Sequence, residues 1–117
     1  MMKSTVLLLS VLAILFSGPQ ARADFADAVA AYDGGDYATA FSGFLEAAKQ
    51  GDADGQYMAG FLYMRGQGTG RDLPRAYQWF TLAARQGDTF AAHELEGLTA
   101  RMSAKQVSQA EALLRAD

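Results

Sequence analysis

Apolar residues recur at helical spacing in the region that follows residue 23. Positions i, i+3, i+4 and i+7 of the first stretch are all apolar: Phe25, Ala28, Val29 and Tyr32. This spacing is typical of one face of an amphipathic helix. Gly34 and Gly35 then permit a left-handed turn, and Asp36 is placed to cap the next helix. We therefore expect a helix over Phe25 to Tyr32, followed by a short turn.

The next stretch, Tyr37 to Gln50, carries a broader apolar face. Six residues define it: Ala40, Phe41, Phe44, Leu45, Ala47 and Ala48. Small residues let two helix axes approach, while the aromatic rings fill the space between hairpins. The pattern predicts a second, more deeply buried helix that ends at Gly51.

Two further helices are indicated by their end signals. Asp52 or Asp54 begins the third helix and Gly66 ends it. Asp72, followed closely by Pro74, is a start signal for the fourth, because aspartate accepts orphan amide protons and proline is tolerated in the first turn. The Gly-rich segment between these helices is expected to form a loop.

The last third of the chain predicts two more helices. The first runs from Asp88 to about Ala100. The second begins with a capping box, Ser103 to Gln106, preceded by Met102 and followed by Val107 at hydrophobic-staple positions. Its apolar stripe is Val107, Ala110 and Leu114. A terminal helix of this kind suits the open end of a repeat array.

The chain matches itself when it is shifted by 36 positions. Ala40 then falls on Ala76, Phe44 on Phe80, and the run Gln50-Gly51-Asp52 on Gln86-Gly87-Asp88. A period of this length, with small and aromatic residues at helical spacing, indicates a solenoid of helical hairpins.

The central unit resembles the Sel-one-like repeat family, a relative of the tetratricopeptide repeats. The residues that carry the resemblance are Ala59-Gly60-x-x-Tyr63-x-x-Gly66-x-Gly68, then Asp72, then Ala76-x-x-Trp79-Phe80-x-x-Ala83-Ala84-x-x-Gly87-Asp88. The resemblance implies an all-α fold: a short right-handed α/α superhelix of antiparallel helical hairpins with a C-terminal capping helix. It also implies an adaptor role through protein contacts, with no universal active site.

The resemblance divides the chain into units. Residues 53–88 form the complete repeat, and residues 24–52 form a divergent first repeat with the shorter turn Asp33-Gly34-Gly35. Residues 89–117 form a degenerate third repeat and the capping helix. Residues 1–23 precede the helical repeat domain.

Residues 1–23 have the pattern of a secretory signal peptide. Lys3 is followed by an apolar run from Val6 to Phe16, then by Gly18-Pro19 and the small-residue site Ala21-Arg22-Ala23. The run is shorter than the roughly 20 residues that a helix needs to span a bilayer. The pattern predicts cleavage after Ala23 and a periplasmic or secreted product. An uncleaved N-terminal anchor, giving a membrane-anchored envelope protein, is the alternative.

Cysteine content and charge narrow the classes of partner and site. The chain has no cysteine, so disulfides, a thiol nucleophile and a thiolate metal site are excluded. Taking Lys3 and Arg22 from the 10 basic residues leaves 8 against 13 acidic ones, a formal charge of −5. This charge argues against nucleic acid or an anionic membrane surface as the partner.

The sequence predicts no catalytic, cofactor or metal site. His93-Glu94 resembles the start of an H-E-x-x-H zinc motif, but Gly97 stands where the second histidine is needed and the chain has only one histidine. The series Gly66-x-Gly68-x-Gly70 follows a helix and lacks the Gly-Lys-Ser/Thr ending of a phosphate loop. The glycines are instead expected to end a helix.

Candidate partner-binding residues are those that the repeat signature does not use. Tyr57, Phe61, Met64 and Arg65 stand at i, i+4, i+7 and i+8 and share one helix face. Related solenoids present the first helix of each hairpin on their concave side, so the resemblance implies that this stripe faces a ligand. Packing against the neighbouring hairpin is the alternative. Trp79 is the fifth candidate, as an interface anchor or as a wedge between repeats.

These observations favour an exported, non-enzymatic adaptor or scaffold that binds a protein or peptide, with self-association as a further partner hypothesis. A cell-wall enzyme or β-lactam-binding protein is the alternative from another class. It follows from a resemblance to cysteine-rich exported members of the repeat family, whose disulfides this chain lacks.

Overall fold

The computed structural model describes residues 24–116, and the regular structure within that range is entirely helical. The first helix, α1, covers residues 24–33. Five more helices follow: α2 (Tyr37–Lys49), α3 (Ala53–Arg65), α4 (Leu73–Arg85), α5 (Thr89–Thr99) and α6 (Ala104–Ala116). The predicted all-α fold of helical hairpins is confirmed. The predicted signal peptide and its cleavage after Ala23 lie outside the described residues.

Aspartate side chains begin four of these helices. Asp36 accepts a hydrogen bond from the Thr39 amide and Asp72 from the Arg75 amide. Asp52 and Asp88 cap α3 and α5 in the same way, through the amides of Asp54 and Ala91. Each carboxylate satisfies an amide that has no partner inside its helix. Each of the helices α2 to α5 therefore begins directly after a capping aspartate.

The capping box of α6 forms as predicted. The Ser103 amide donates to Gln106 Oε1 at 2.9 Å, and the Gln106 amide donates to Ser103 Oγ at 3.1 Å. Met102 is half-buried against the core between α4 and α5. The helix packs on α4, and Ala110 is completely buried.

The 36-residue period is visible in the backbone. Helices α2 and α4 have the same length and begin 36 positions apart, and so do the starts of α3 and α5. Phe44 and Phe80, which the shift aligns, are both completely buried. The sequence repeat is therefore also a structural repeat.

The core is a row of clusters between successive helices. One cluster joins α1, α2 and α3: Ala28, Ala40, Phe44 and Leu62. The next joins α2, α3 and α4: Ala48, Ala59 and Trp79. The third lies mainly between α4 and α5: Leu73, Ala76, Phe80, Ala83, Ala91 and Leu98. Each hairpin is thus stabilised by burying apolar surface against its neighbours.

The glycine loop after α3 folds back onto the start of α2. Gly66 ends α3 in the left-handed region, with φ 68°, and donates to the Leu62 carbonyl. Gly68 also has a positive φ, 76°, and lies so close to the Tyr37 carbonyl that a Cβ atom there would collide with the backbone. The Asp72 amide then donates to the Tyr63 carbonyl at 2.9 Å. Gly66 thus ends the helix as predicted, and the loop in addition makes a contact between hairpins that the sequence did not predict.

A chain of side-chain amides ties the second hairpin to the first. Gln86 Nε2 donates to the Gly51 carbonyl at 2.9 Å and to Gln56 Oε1 at 2.8 Å. Gln56 is buried and donates in turn to the Ala48 carbonyl. Because buried amides are costly when unpaired, this network fixes how the two hairpins sit against each other.

Candidate functional site

Aromatic side chains of the first helix of each hairpin form a partly exposed surface. We call it the first-helix face and define it by Phe25 and Tyr32 of α1, Tyr57 and Phe61 of α3, and Phe90 of α5. Tyr57 lies at its centre, with ring centroids 6.2 Å from Phe61 and 6.4 Å from Phe90. Phe90 is 73% exposed. A large apolar ring this exposed is available to a partner.

A groove opens on this face between α1 and α3. Its volume is about 390 Å³. Phe25, Val29 and Tyr32 form one wall, and Tyr57 and Met58 form the other. The volume lies in the range of about 300–1,000 Å³ that is typical of ligand pockets. The groove is therefore wide enough for one or two side chains of a bound segment.

The surroundings of the groove are acidic. Asp33 and Asp54 line it. Burial raises the pKa of Tyr57 above its ordinary value of 10.0, and the nearby carboxylates of Glu94 and Asp88 raise it further. At neutral pH the Tyr57 hydroxyl is therefore protonated and can donate or accept a hydrogen bond. The face combines aromatic surface with negative potential.

The predicted stripe on α3 divides between core and surface. Tyr57, Phe61 and Met64 are half-buried and pack against the cluster between α4 and α5. Arg65 is exposed, and its guanidinium lies 5.2 Å from the centre of the Phe61 ring, within cation–π range. Packing therefore accounts for the buried part of Tyr57, Phe61 and Met64, and presentation of the stripe to a ligand stays a prediction.

Trp79 lies in the core. Its side chain is 9% exposed and packs with Ala48 and Ala59. This is the position of a wedge between repeats, one of the two roles that the sequence left open. Its indole N–H is buried and has no hydrogen-bond acceptor among the described residues.

Phe90, the most exposed large apolar residue between residues 24 and 116, lies outside the predicted stripe. A signal was present in the sequence. The residues that share its side of α5, His93, Glu94 and Gly97, are polar or small. An aromatic residue on a polar helix face has no packing role to explain it.

His93 and Ser103 are residues of the last two helical segments whose side chains could carry chemistry. His93 is exposed on α5, and Ser103 is engaged in the capping box. Within residues 24–116, no group of three or more His, Cys, Asp and Glu side chains could hold a metal ion. No helix in the same range is long and apolar enough to cross a membrane.

The boundaries of α3, the glycine loop and α4 coincide with a family match. The family model for the Sel1 repeat matches residues 53–88. These residues form a Sel1 repeat. The match covers the complete unit that the sequence pattern outlines, from the first residue of α3 to the Asp88 cap of α5.

Sel1 repeats generally mediate protein–protein interactions and are generally non-catalytic. A search of the curated proteins found no match to the chain. In this protein, the α3 part of the first-helix face belongs to the Sel1 repeat, while α1 and α5 extend the face on either side.

Proposed function

We propose that this protein is an exported adaptor that binds a protein or peptide segment through its first-helix face. The observation that carries the proposal is the exposed aromatic surface around Tyr57, which includes Phe61 and the 73% exposed ring of Phe90. Aromatic residues and arginine are the residue types that most often anchor protein interfaces. The Sel1 repeat, as a protein-interaction module, supports the same role.

The charge of the face indicates what the bound segment carries. Asp33 and Asp54 line the groove, and Glu94 lies near Tyr57. A segment with apolar side chains for the groove and basic side chains for its rim complements this surface.

The binding proposal is tested by selecting displayed random peptides on the purified protein. We expect the selected peptides to combine apolar or aromatic residues with lysine or arginine. The double variant Phe61→Ala, Phe90→Ala should bind them roughly tenfold or more weakly, since removing interface anchors costs about 2 kcal/mol or more.

The matched control is Tyr77→Ala. Tyr77 is also a half-buried aromatic residue packed on the cluster between α4 and α5, but it lies on α4, away from the first-helix face. Circular dichroism should give both variants the helicity of the original protein. Peptides that bind the double variant and the original protein equally well would contradict the proposed surface.

The export part of the proposal rests on residues 1–23. Lys3, the apolar run from Val6 to Phe16 and the Ala21-Arg22-Ala23 site together have the pattern of a signal peptide. The intact mass of the protein recovered from the membrane, periplasm or medium of the producing cells should correspond to a chain that begins at Asp24. A mass that includes Met1 would indicate the anchored form and contradict export by cleavage.

A further inference from the structure

A second groove lies between α2, the glycine loop and α4, and shares no lining residue with the groove on the first-helix face. Its volume is about 540 Å³. Three basic side chains line it: Lys49 at the end of α2, Arg71 in the loop and Arg75 in the first turn of α4. We call it the basic groove.

This concentration of positive charge is unusual for the molecule. The chain carries a formal charge of −3, yet the basic groove holds three cations and, among its described lining residues, one carboxylate, Asp72. A local reversal of the net charge attracts anions to that place and not to the rest of the surface.

The single carboxylate is already engaged. Asp72 Oδ1 accepts from the Arg75 amide at 3.1 Å as the cap of α4, and Asp72 Oδ2 lies 3.5 Å from Arg75 Nε. Lys49 and Arg71 are exposed and form no ion pair within the described part of the chain. Their charges are therefore available to a ligand.

Apart from Thr69 and Gly70 of the loop, the remaining lining residues of the basic groove are apolar or aromatic. Leu45, Tyr63 and Trp79 line it beside the cations. Burial raises the pKa of Tyr63, so its hydroxyl keeps its proton at neutral pH. Trp79 contributes only the small exposed part of its ring, since its side chain is 9% exposed and its indole N–H is buried.

We propose that the basic groove binds the carboxylates of an acidic peptide segment that also carries an apolar side chain. Guanidinium and ammonium groups form charge-assisted hydrogen bonds with carboxylates. The aromatic lining takes the apolar side chain and gives the site more than the attraction of a bare charge. The carboxylate belongs to Asp or Glu side chains or to a chain terminus. This inference is independent of the first-helix face, since the two sites use different residues.

The test measures binding of a labelled short peptide of alternating glutamate and leucine, with an amidated C-terminus, by fluorescence anisotropy at physiological salt. The double variant Lys49→Gln, Arg71→Gln should bind about tenfold or more weakly, a loss of about 1.4 kcal/mol or more, because both charge-assisted contacts to the carboxylates are removed. The matched control is Arg101→Gln, Lys105→Gln, which removes the same charge from exposed residues outside the groove.

Two further peptides separate the sources of the carboxylate. In one, every glutamate is replaced by glutamine and the C-terminus is amidated, and in the other the same glutamine peptide has a free C-terminal carboxylate. Binding of the second but not the first would assign the groove to a chain terminus, and binding of neither would assign it to acidic side chains. Both results support carboxylate recognition.

Three results would overturn the inference. The original protein binds neither the glutamate peptide nor the glutamine peptide with a free C-terminus, the fully neutral glutamine peptide binds as well as the peptides that carry carboxylates, or the two double variants lose affinity equally. The last result would show attraction by net charge alone. Lys49 and Arg71 are exposed side chains without capping roles, so their loss leaves the fold intact.

Discussion

Two glycines within helices, Gly60 and Gly97, differ in how closely other atoms surround them. A Cβ atom on Gly60 would lie 2.9–3.1 Å from three atoms of the Phe80 ring, and Phe80 is completely buried. Gly97 in α5 has no atom within 4 Å of the same position. The first glycine lets α3 and α4 approach, and the second has no packing role.

We therefore expect Gly60→Ala and Gly97→Ala to change stability in opposite directions. Gly60→Ala should lower the free energy of unfolding by about 1 kcal/mol. Overpacking destabilises by about 1–3 kcal/mol, and the higher helix propensity of alanine offsets about 1 kcal/mol of that. Gly97→Ala should raise it by about 0.5–1 kcal/mol. Urea unfolding followed by circular dichroism measures both. Equal changes in the two variants would contradict the close packing of α3 on α4.

At the residue scale, spacing predicts which residues share a helix face but not what covers the face. Tyr57 and Trp79 illustrate this. Both are aromatic residues in the same repeat, yet Tyr57 is half-exposed at the centre of the first-helix face and Trp79 is buried between three helices. The difference depends on which neighbouring helix packs beside each ring, and a single helix's periodicity does not contain that information.

At the scale of elements, the sequence predicts the helices closely because their ends carry specific chemistry. The aspartates at positions 36, 52, 72 and 88 each accept a backbone amide, and Gly66 takes the left-handed conformation that ends α3. The capping box of α6 is likewise local, since both of its hydrogen bonds join Ser103 and Gln106. Features that depend only on residues close in sequence can be predicted from the sequence.

Contacts between elements were less predictable. The amide network from Gln86 to Gly51 and Gln56 joins residues 35 and 30 positions apart. The basic groove likewise draws Lys49, Arg71 and Arg75 from two helices and a loop. The 36-residue shift places Gln86 on Gln50 and shows the repeat, but it does not show which carbonyl the side chain reaches. Such sites emerge only when the hairpins are stacked.

At the scale of the whole molecule, the stacking of hairpins gives two surfaces of different character. The first-helix face is aromatic with acidic surroundings, and the basic groove on α2 and α4 is positively charged. The proposed adaptor would hold two segments of opposite charge, one on each of these surfaces. The fold supports this because the hairpins bury their core residues between helices and leave separate sides of the array free.

The most direct test of the central claim is photo-crosslinking in the producing cells. p-Benzoylphenylalanine is introduced at position 90, in the first-helix face, or at position 112, which is exposed on α6. Both positions tolerate a large side chain, because neither Phe90 nor Ala112 is buried. The second arm repeats position 90 in the Tyr57→Ala, Phe61→Ala background.

We predict a discrete crosslinked protein from position 90 that is absent from position 112 and lost in the double variant. This result would place a partner on the first-helix face in the cell. Equal crosslinking from positions 90 and 112, an unchanged product in the double variant, or no product from position 90 would contradict the account.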